Sequence, residues 1–409
     1  MAGLAMTYRE LNSRANRLAD QLCQQGVGPE VPVGLVCGRG FEAIVGMLAV
    51  LKADGICVPF DATMPAERLR VMSGLAGLRL VITTEAMQCA RPGLGGPVAI
   101  VRIAGECPAA PNLQPRIRPA DTAHLFFTTG STGRPRAVPV SHAAADNLIH
   151  WQQLALPFRP GMRVLQFSPP GMDSAWQEIA GTLCAGGVLV IPAAEERSHV
   201  DKLCAFIAAS RIERAFLPAA TLAHLAGCQA APLEGLRDLV VTCGPVLITD
   251  EIRAFFTVHR SCRLHAHYGH AETLVALACT IEGTPAAWPG ILPLGRPIHG
   301  ISARVLGDKG QPVNAGELWI GGPHLPRAYH RDPASSRERF RMDPAAAEGN
   351  SAARIFRTGD RVRETAQGYF ELAGGSTPSR SNRKRPQKPG KNTIPASAPE
   401  ADAPAQAVA

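Results

Sequence analysis

Through its first two thirds the chain alternates short apolar runs with stretches whose apolar residues recur at helical spacing. That rhythm constrains the fold more than any single motif. Between Met6 and Gln24, Leu11, Ala15, Leu18 and Leu22 fall on one face of a predicted helix. Val31–Cys37 then reads as a strand, Phe41–Lys52 as a helix and Ile56–Phe60 as a strand again. Apolar runs follow at 78–82, 97–103, 123–129, 163–168 and 188–192, and a second series runs from Ala215 to His267 through Asp238–Thr242. Parallel strands need crossover connections of a dozen or more residues, usually helical, and this spacing supplies them. The predicted fold class is therefore α/β: two βαβ-type subdomains with largely parallel sheets. After Gly295 the texture changes to short alternating strands, Ser302–Leu306 and Glu317–Ile320, set between Gly, Pro and Asp, so 296–374 reads as a small β-rich subdomain of a 1–374 core.

Residues 375–409 are rich in Ser, Pro, Lys and Arg, then in Ala and Pro, and contain no aromatic residue. Such a segment buries too little surface to offset the entropy of ordering it, so a disordered C-terminal tail is expected. It also explains the net charge. Six Lys/Arg against two acids in 376–409 supply half of the formal +8, which leaves an unremarkable core. The Arg383-Lys384-Arg385-Pro386 run has no aromatic interleaving, so no nucleic-acid partner is expected. Eleven scattered cysteines without a CxxC pair argue against a disulfide framework or a zinc cluster. No apolar run approaches the roughly 18 residues of a membrane helix, and a cytoplasmic location is expected.

The strongest local signal is the run from Leu125 to Arg136, in which an apolar strand delivers Thr128-Thr129-Gly130-Ser131-Thr132-Gly133-Arg134-Pro135-Arg136. Glycines let a backbone approach an anion, hydroxyls and N–H groups donate to phosphate oxygens, and Arg136 adds charge. An ordinary polar turn is the plainer alternative. The GxxxxGK[ST] spacing of a Walker loop is absent.

This loop resembles the TSGSTGKPKG phosphate loop of AMP-forming adenylating enzymes, and further blocks follow in that family's order. Met6–Leu11 with Ala15–Ala19 resembles the LTYxELxxxANxLA opening of amino-acid adenylation domains in nonribosomal peptide synthetases. Residues 51–69 resemble LKAGAAYVPLDPxYPxERL, Tyr268–Thr273 resembles YGPTE[TS], Gly316–Tyr329 resembles GELYIGGxGLARGY, and Arg357–Asp360 matches RTGD. Collinear over residues 6–373, the blocks imply attack of a carboxylate on the α-phosphate of ATP, giving an acyl-adenylate and pyrophosphate. By the same resemblance Thr128, Thr132, Arg136 and Glu272 would be catalytic, and Thr129, Gly130, Ser131, Gly133, Tyr268, Thr273 and Asp360 would hold the nucleotide. Glu272 would bind Mg²⁺, Tyr268 would pack on adenine and Asp360 would accept from the ribose hydroxyls. His270 stands where the family has Pro, and a histidine satisfied by its neighbours is expected there.

Asp173, in a segment similar to the family's FDASVWE block, would receive a substrate α-ammonium, with a helix N-cap as the plainer role. Extending the alignment gives Ser174, Gln177, Phe216, Val241, Cys243, His267, Val275 and Ala276 as pocket positions. They include no second acid for a basic side chain, and together they resemble the pattern of proline-activating domains, so a small apolar or cyclic amino acid is expected. A carrier protein or other synthetase modules are the partners the family implies. After Gly374 the sequence departs from the family's GRxDxQVKIRGxRIE hinge, and no Lys in 376–409 has the context of the catalytic lid lysine. Low activity is the resulting expectation. The alternatives are a non-catalytic nucleotide- or partner-binding remnant, and an acyl-CoA ligase-like enzyme, which Asp173 and the opening block disfavour.

Overall fold

Thr7 decides where the first helix starts. Its hydroxyl accepts from the Glu10 N–H, and the Glu10 carboxylate takes the Thr7 N–H in return. This reciprocal cap satisfies two N–H groups that a helix start leaves unpaired. The helix expected from Met6 therefore begins at Tyr8, and Leu4–Met6 is a strand. The computed structural model describes residues 4–90, 98–100, 108–129, 134–228, 233–242, 244–307, 310–322, 325–343, 354–373 and 405–409, apart from the side chains at 90, 98–100 and 129.

In chain order, β1 (Leu4–Met6) leads to α1 (Tyr8–Gln24), β2 (Pro32–Cys37), α2 (Phe41–Lys52), β3 (Ile56–Asp61) and α3 (Ala66–Ala76). Next come β4 (Leu80–Thr83), α4 (Glu85–Ala90), β5 (Val98–Ile100), β6 (Thr122–Thr129), β7 (Pro135–Ser141) and α5 (His142–Ala155). These strands, β1 excepted, form a six-stranded sheet ordered β5-β4-β2-β3-β6-β7, parallel except for the β6–β7 hairpin. The second unit continues with β8 (Arg163–Leu165), α6 (Asp173–Cys184), β9 (Val188–Ile191), β10 (Arg214–Leu217), β11 (Asp238–Thr242), β12 (Arg263–His270), β13 (Leu274–Thr280) and β14 (Arg296–Pro297). Here β9-β8-β10-β11-β12 run parallel, and β13 and β14 are added antiparallel. The α/β expectation holds in both units.

The β-rich subdomain is equally plain. Strands β15 (Ser302–Leu306), β16 (Ala315–Gly321), β17 (Phe340–Met342), β18 (Arg354–Glu364) and β19 (Phe370–Leu372) form one antiparallel sheet. The expected tail behaves differently at its far end. Residues 374–404 lie outside the described residues, but Gln406–Val408 form β20, between β1 and β9 in the larger sheet. The reading of 375–409 as one disordered segment is corrected there. Composition averaged over 35 residues hides a Gln-Ala-Val triplet short enough to be one strand, with Val408 fully buried.

Candidate active site

The β12–β13 hairpin is the hinge of the site, and its backbone dictates its sequence. A Cβ on Gly269 would stand 1.6 Å from the Leu274 carbonyl oxygen, so only glycine fits beside the bulge between Tyr268 and Gly269. Leu274 itself takes a positive φ of 52°. Thr273 pins the turn: its hydroxyl accepts from the His270 N–H at 3.0 Å and donates to the Leu274 carbonyl at 3.0 Å. Thr273 is thus occupied as a turn residue, and the turn aims Tyr268, His270 and Glu272 toward the β-rich sheet.

Asp360 meets them from β18. The Tyr268 hydroxyl donates to its Oδ2 at 2.6 Å, and His270 Nε2 lies 3.1 Å from the same oxygen. The Asp360 N–H donates to the Thr358 hydroxyl, and Gly359 N–H donates to Glu317, which anchors the RTGD turn. Burial and the charge of Asp360 raise the Tyr268 phenol well above its ordinary value. Burial opposes protonation of His270, but the hydrogen bond and charge of Asp360, aided by Glu272, outweigh it and raise the imidazole. His270 is satisfied by its neighbours, as expected.

Glu272 is buried and accepts a 2.7 Å hydrogen bond from the Tyr329 hydroxyl. The guanidinium of Arg136 sits over the same Tyr329 ring, 5.3 Å from its centroid, with Nε 4.0 Å from Asp332. The His330 N–H donates to the Ala137 carbonyl, tying the β6–β7 hairpin to this segment. Tyr329 therefore joins Arg136 to Glu272. It closes the Arg-Ala-Tyr end of the GELYIGG-like block, and that position was the sequence signal for it. The pairing Thr128↔Arg136 and Thr129↔Pro135 places Thr128 and Thr129 at the loop end of the hairpin, with Thr128 half-buried. Gly130, Ser131, Thr132 and Gly133 lie outside the described residues.

Asp173 is the first residue of α6, and Met172 is the N-cap, so the plainer capping role does not hold. Its Oδ1 accepts the Ser174 N–H at 2.9 Å. Burial raises its carboxyl, only partly offset by that bond, by its own backbone N–H and by the charge of His270, while Glu272 adds to the rise. Asp173, His270 and Glu272 therefore share one field. One turn on, buried Glu178 accepts from the N–H groups of Phe167 and Ser168 and from Gln166, and burial raises it to about 8. It fixes the segment leading to Asp173. Ser174 bonds Ser168 at 2.9 Å.

The other pocket positions separate into two groups. Gln177 and His267 pair at 3.0 Å, and the His267 ring meets Trp151 edge-on at 5.2 Å and Phe216 at 6.4 Å. Burial lowers His267 to about 3, so it is neutral. Val275 packs with Leu148 and Ile298. Val241, by contrast, pairs with Leu217 and Ala266 on the opposite face from Phe216 and His267, where Thr242 is the neighbour of His267. Ala276 likewise packs away from Val275, against Val138 and Leu318. The structure does not bring Val241 and Ala276 together with the rest. Strand alternation decides this, and block matching ignores it. Cys243 lies outside the described residues. Trp151 and Thr242 were missed because neither lies at a block position.

Among the described residues no three His, Cys, Asp or Glu side chains gather as a metal cage, and no helix is long and apolar enough to cross a membrane. A single buried carboxylate such as Glu272 suits a hard cation whose other ligands are phosphate oxygens and water, the usual habit of Mg²⁺.

A family model described as AMP-binding enzyme matches residues 2–330. The chain is 33% identical over 382 residues to tyrocidine synthase 2 of Brevibacillus parabrevis, covering 90% of this chain and 10% of that protein. It is 32% identical over 383 residues to phosphinothricin tripeptide synthetase PhsB of Streptomyces viridochromogenes, covering 91% of this chain and 31% of that protein. This chain thus spans only a minor part of those synthetases. Among solved structures, the nonribosomal peptide synthetase FmoA3 in its α-methyl-L-serine-AMP bound form superposes with a TM-score of 0.81 at 25% identity, over 91% of this chain and 43% of that one. PA1221, a synthetase protein containing adenylation and PCP domains, gives 0.78 at 26% identity, over 91% and 65%.

Proposed function

The chain belongs to the AMP-binding enzyme family, as an adenylation domain of the nonribosomal peptide synthetase kind, and from that membership we propose that it activates an α-amino acid with ATP. In this reading a carboxylate oxygen of the amino acid attacks the α-phosphorus, the bond to the bridging oxygen of the β-phosphate breaks, and pyrophosphate leaves. The product is an aminoacyl-adenylate. The observation that carries the reading is Asp173, a carboxylate of raised pKa with no Lys or Arg ion pair among the described residues, set in the same field as Glu272 and His270. An ammonium ion is the ligand such a group wants, because a charge of that kind is tolerable only when paired.

The roles of the other residues follow from their positions. Asp360, held by Tyr268 and His270, faces the ribose end. Arg136, on the face of Tyr329, brings a guanidinium to the phosphate hairpin, where charge develops as pyrophosphate departs. Glu272 would hold Mg²⁺, which supplies charge neutralisation to the phosphates when bound. Glu272→Ala should abolish the Mg²⁺-dependent part of ATP binding and leave AMP binding largely intact.

The side-chain pocket of Gln177, His267, Phe216, Trp151 and Val275 contains no ionised group among these five, since His267 is neutral. It favours a small apolar or cyclic amino acid, with proline first. Amino-acid-dependent ATP–pyrophosphate exchange across a panel of amino acids tests the reading, and a preference for acids lacking the amine would overturn it. The 409 residues assayed alone should exchange slowly, and appending a lid that carries the family lysine should raise the rate about a hundredfold or more. A carrier protein is the acceptor this reading implies.

A further inference from the structure

Strand β20 is bonded on both sides. Leu4, Ala5 and Met6 pair in parallel with Gln406, Ala407 and Val408, while Ile191, Val190 and Leu189 pair with the same three antiparallel. The ladder continues past its end: the Tyr8 N–H donates to the Ala409 carbonyl at 3.0 Å, and the Ala409 N–H donates to the Met6 carbonyl at 2.9 Å. Among the described residues β1 borders no strand but β20, so β1 belongs to the sheet only through these residues.

The side chains alternate as a seated strand requires. Val408 is fully buried among Met6, Leu189, Ile191 and the α6 residues Ala175 and Ile179. Gln406, also turned inward, accepts the Phe41 N–H at 2.8 Å through Oε1. That N–H opens α2, whose N-cap, Gly40, has no side chain to offer. Gln406 thus does the work of an N-cap residue from 365 positions away in the chain.

We propose that the gap between β1 and β9 is a strand-accepting slot, and that residues 405–409 are its intramolecular occupant, a latch seating β1, α2 and α6 on the sheet. Main-chain bonds on two edges give affinity, and two inward positions, one apolar and one amide, give register, as in other cases of strand addition. The latch also covers what would otherwise be an exposed edge of β9. Its consequence for the site is indirect. Val408 packs on the inner face of α6, whose first turn carries Asp173, so removing the latch loosens the support of that turn.

The test compares the full chain with variants lacking residues 405–409 or carrying Val408→Asp, using hydrogen exchange at 4–6 and 189–191 and the melting temperature. Exchange in both segments should quicken at least tenfold in both variants, and Gln406→Ala should produce a smaller change confined to the start of α2. A synthetic Ala-Pro-Ala-Gln-Ala-Val-Ala peptide added to the shortened chain should restore protection, while the same peptide with Asp for Val should not. Unchanged exchange after removal overturns the proposal, as does a loss that the peptide fails to restore. A concentration-dependent dimer of the full chain would also overturn it, by showing that the occupant comes from a second copy. None of these readouts involves nucleotide or amino acid, so the result stands apart from the proposed activity.

Discussion

Asp360 and Asp173 both lie within the field of His270, yet they are equipped in opposite ways. Asp360 takes hydrogen bonds from Tyr268 and His270, side chains of the other sheet, and its geometry is set before any ligand arrives. Asp173 receives only backbone N–H groups, its own and that of Ser174, and has its carboxyl raised by burial. The first is a carboxylate whose desolvation has been compensated within the protein. The second carries that cost unrelieved until a cation binds. Under the proposed function the contrast assigns the binding energy to two sources: preorganisation at Asp360 for the nucleotide, and relief of a poorly compensated carboxylate at Asp173 for the amino acid.

The largest effect belongs to the unrelieved carboxylate. Asp173→Ala should remove about 3–5 kcal/mol from amino-acid binding, since it leaves the ligand ammonium buried and unpaired. Nucleotide affinity should move little. Titration calorimetry with AMP and with the preferred amino acid separates the two, and equal losses for both ligands would erase the distinction between the two carboxylates. Tyr268→Phe should behave in the reverse sense. It removes one hydrogen bond to a charged acceptor, worth about 1.5–3 kcal/mol, so AMP binding and thermal stability should both fall while amino-acid selectivity is retained. A selectivity change in that variant would mean that Asp360 and Asp173 act as one unit.

Much of this was legible in the sequence, and the part that was not has a common cause. The rhythm of apolar runs placed both parallel sheets, because the period of a strand and that of a helix differ in the chain itself. The blocks singled out Tyr268, Glu272, Asp360 and Asp173, and the structure ties Tyr268 to Asp360 directly and Glu272 to the β6–β7 hairpin through Tyr329 and Arg136. Facing was not legible. Val241 sits one residue from Thr242 and one strand from His267, and only the register Thr242↔His267 shows which of the two shares the pocket face. Partnership over long separations was hidden as well. Nothing near Phe41 announces that Gln406 will accept its N–H, and nothing near Arg136 announces Tyr329.

The most gradual effects are those of pH, small for any one pH step, and they sharpen the comparison because they separate buried acids from buried bases. Glu178 has its carboxyl raised from 4.5 to about 8 by burial. The folded state therefore holds this proton more tightly than the unfolded chain, and stability falls as pH rises between 4.5 and 8. His267 has its imidazole lowered from 6.5 to about 3, again by burial. Here the unfolded chain binds the proton first, so the stability that the neutral ring contributes is fully present above 6.5 and is lost as pH falls toward 3. His124, buried and lowered to about 3, acts in the same direction. Above 6.5 only the glutamate slope should remain of these three, and below it the histidines should oppose and then exceed that slope. Each group changes stability by at most about 1.4 kcal/mol per pH unit within its window. His267→Gln keeps a partner for Gln177 and removes the titration, so it should flatten the acid limb while leaving the limb between 6.5 and 8 as it was. Glu178→Gln, which keeps one acceptor oxygen for the 167–168 amides, should flatten the upper limb instead. Urea midpoints measured at half-unit intervals from about pH 4.5 to 8.5 would resolve the two. If both variants shifted the same limb, burial of Glu178 and His267 would not be the origin of either slope.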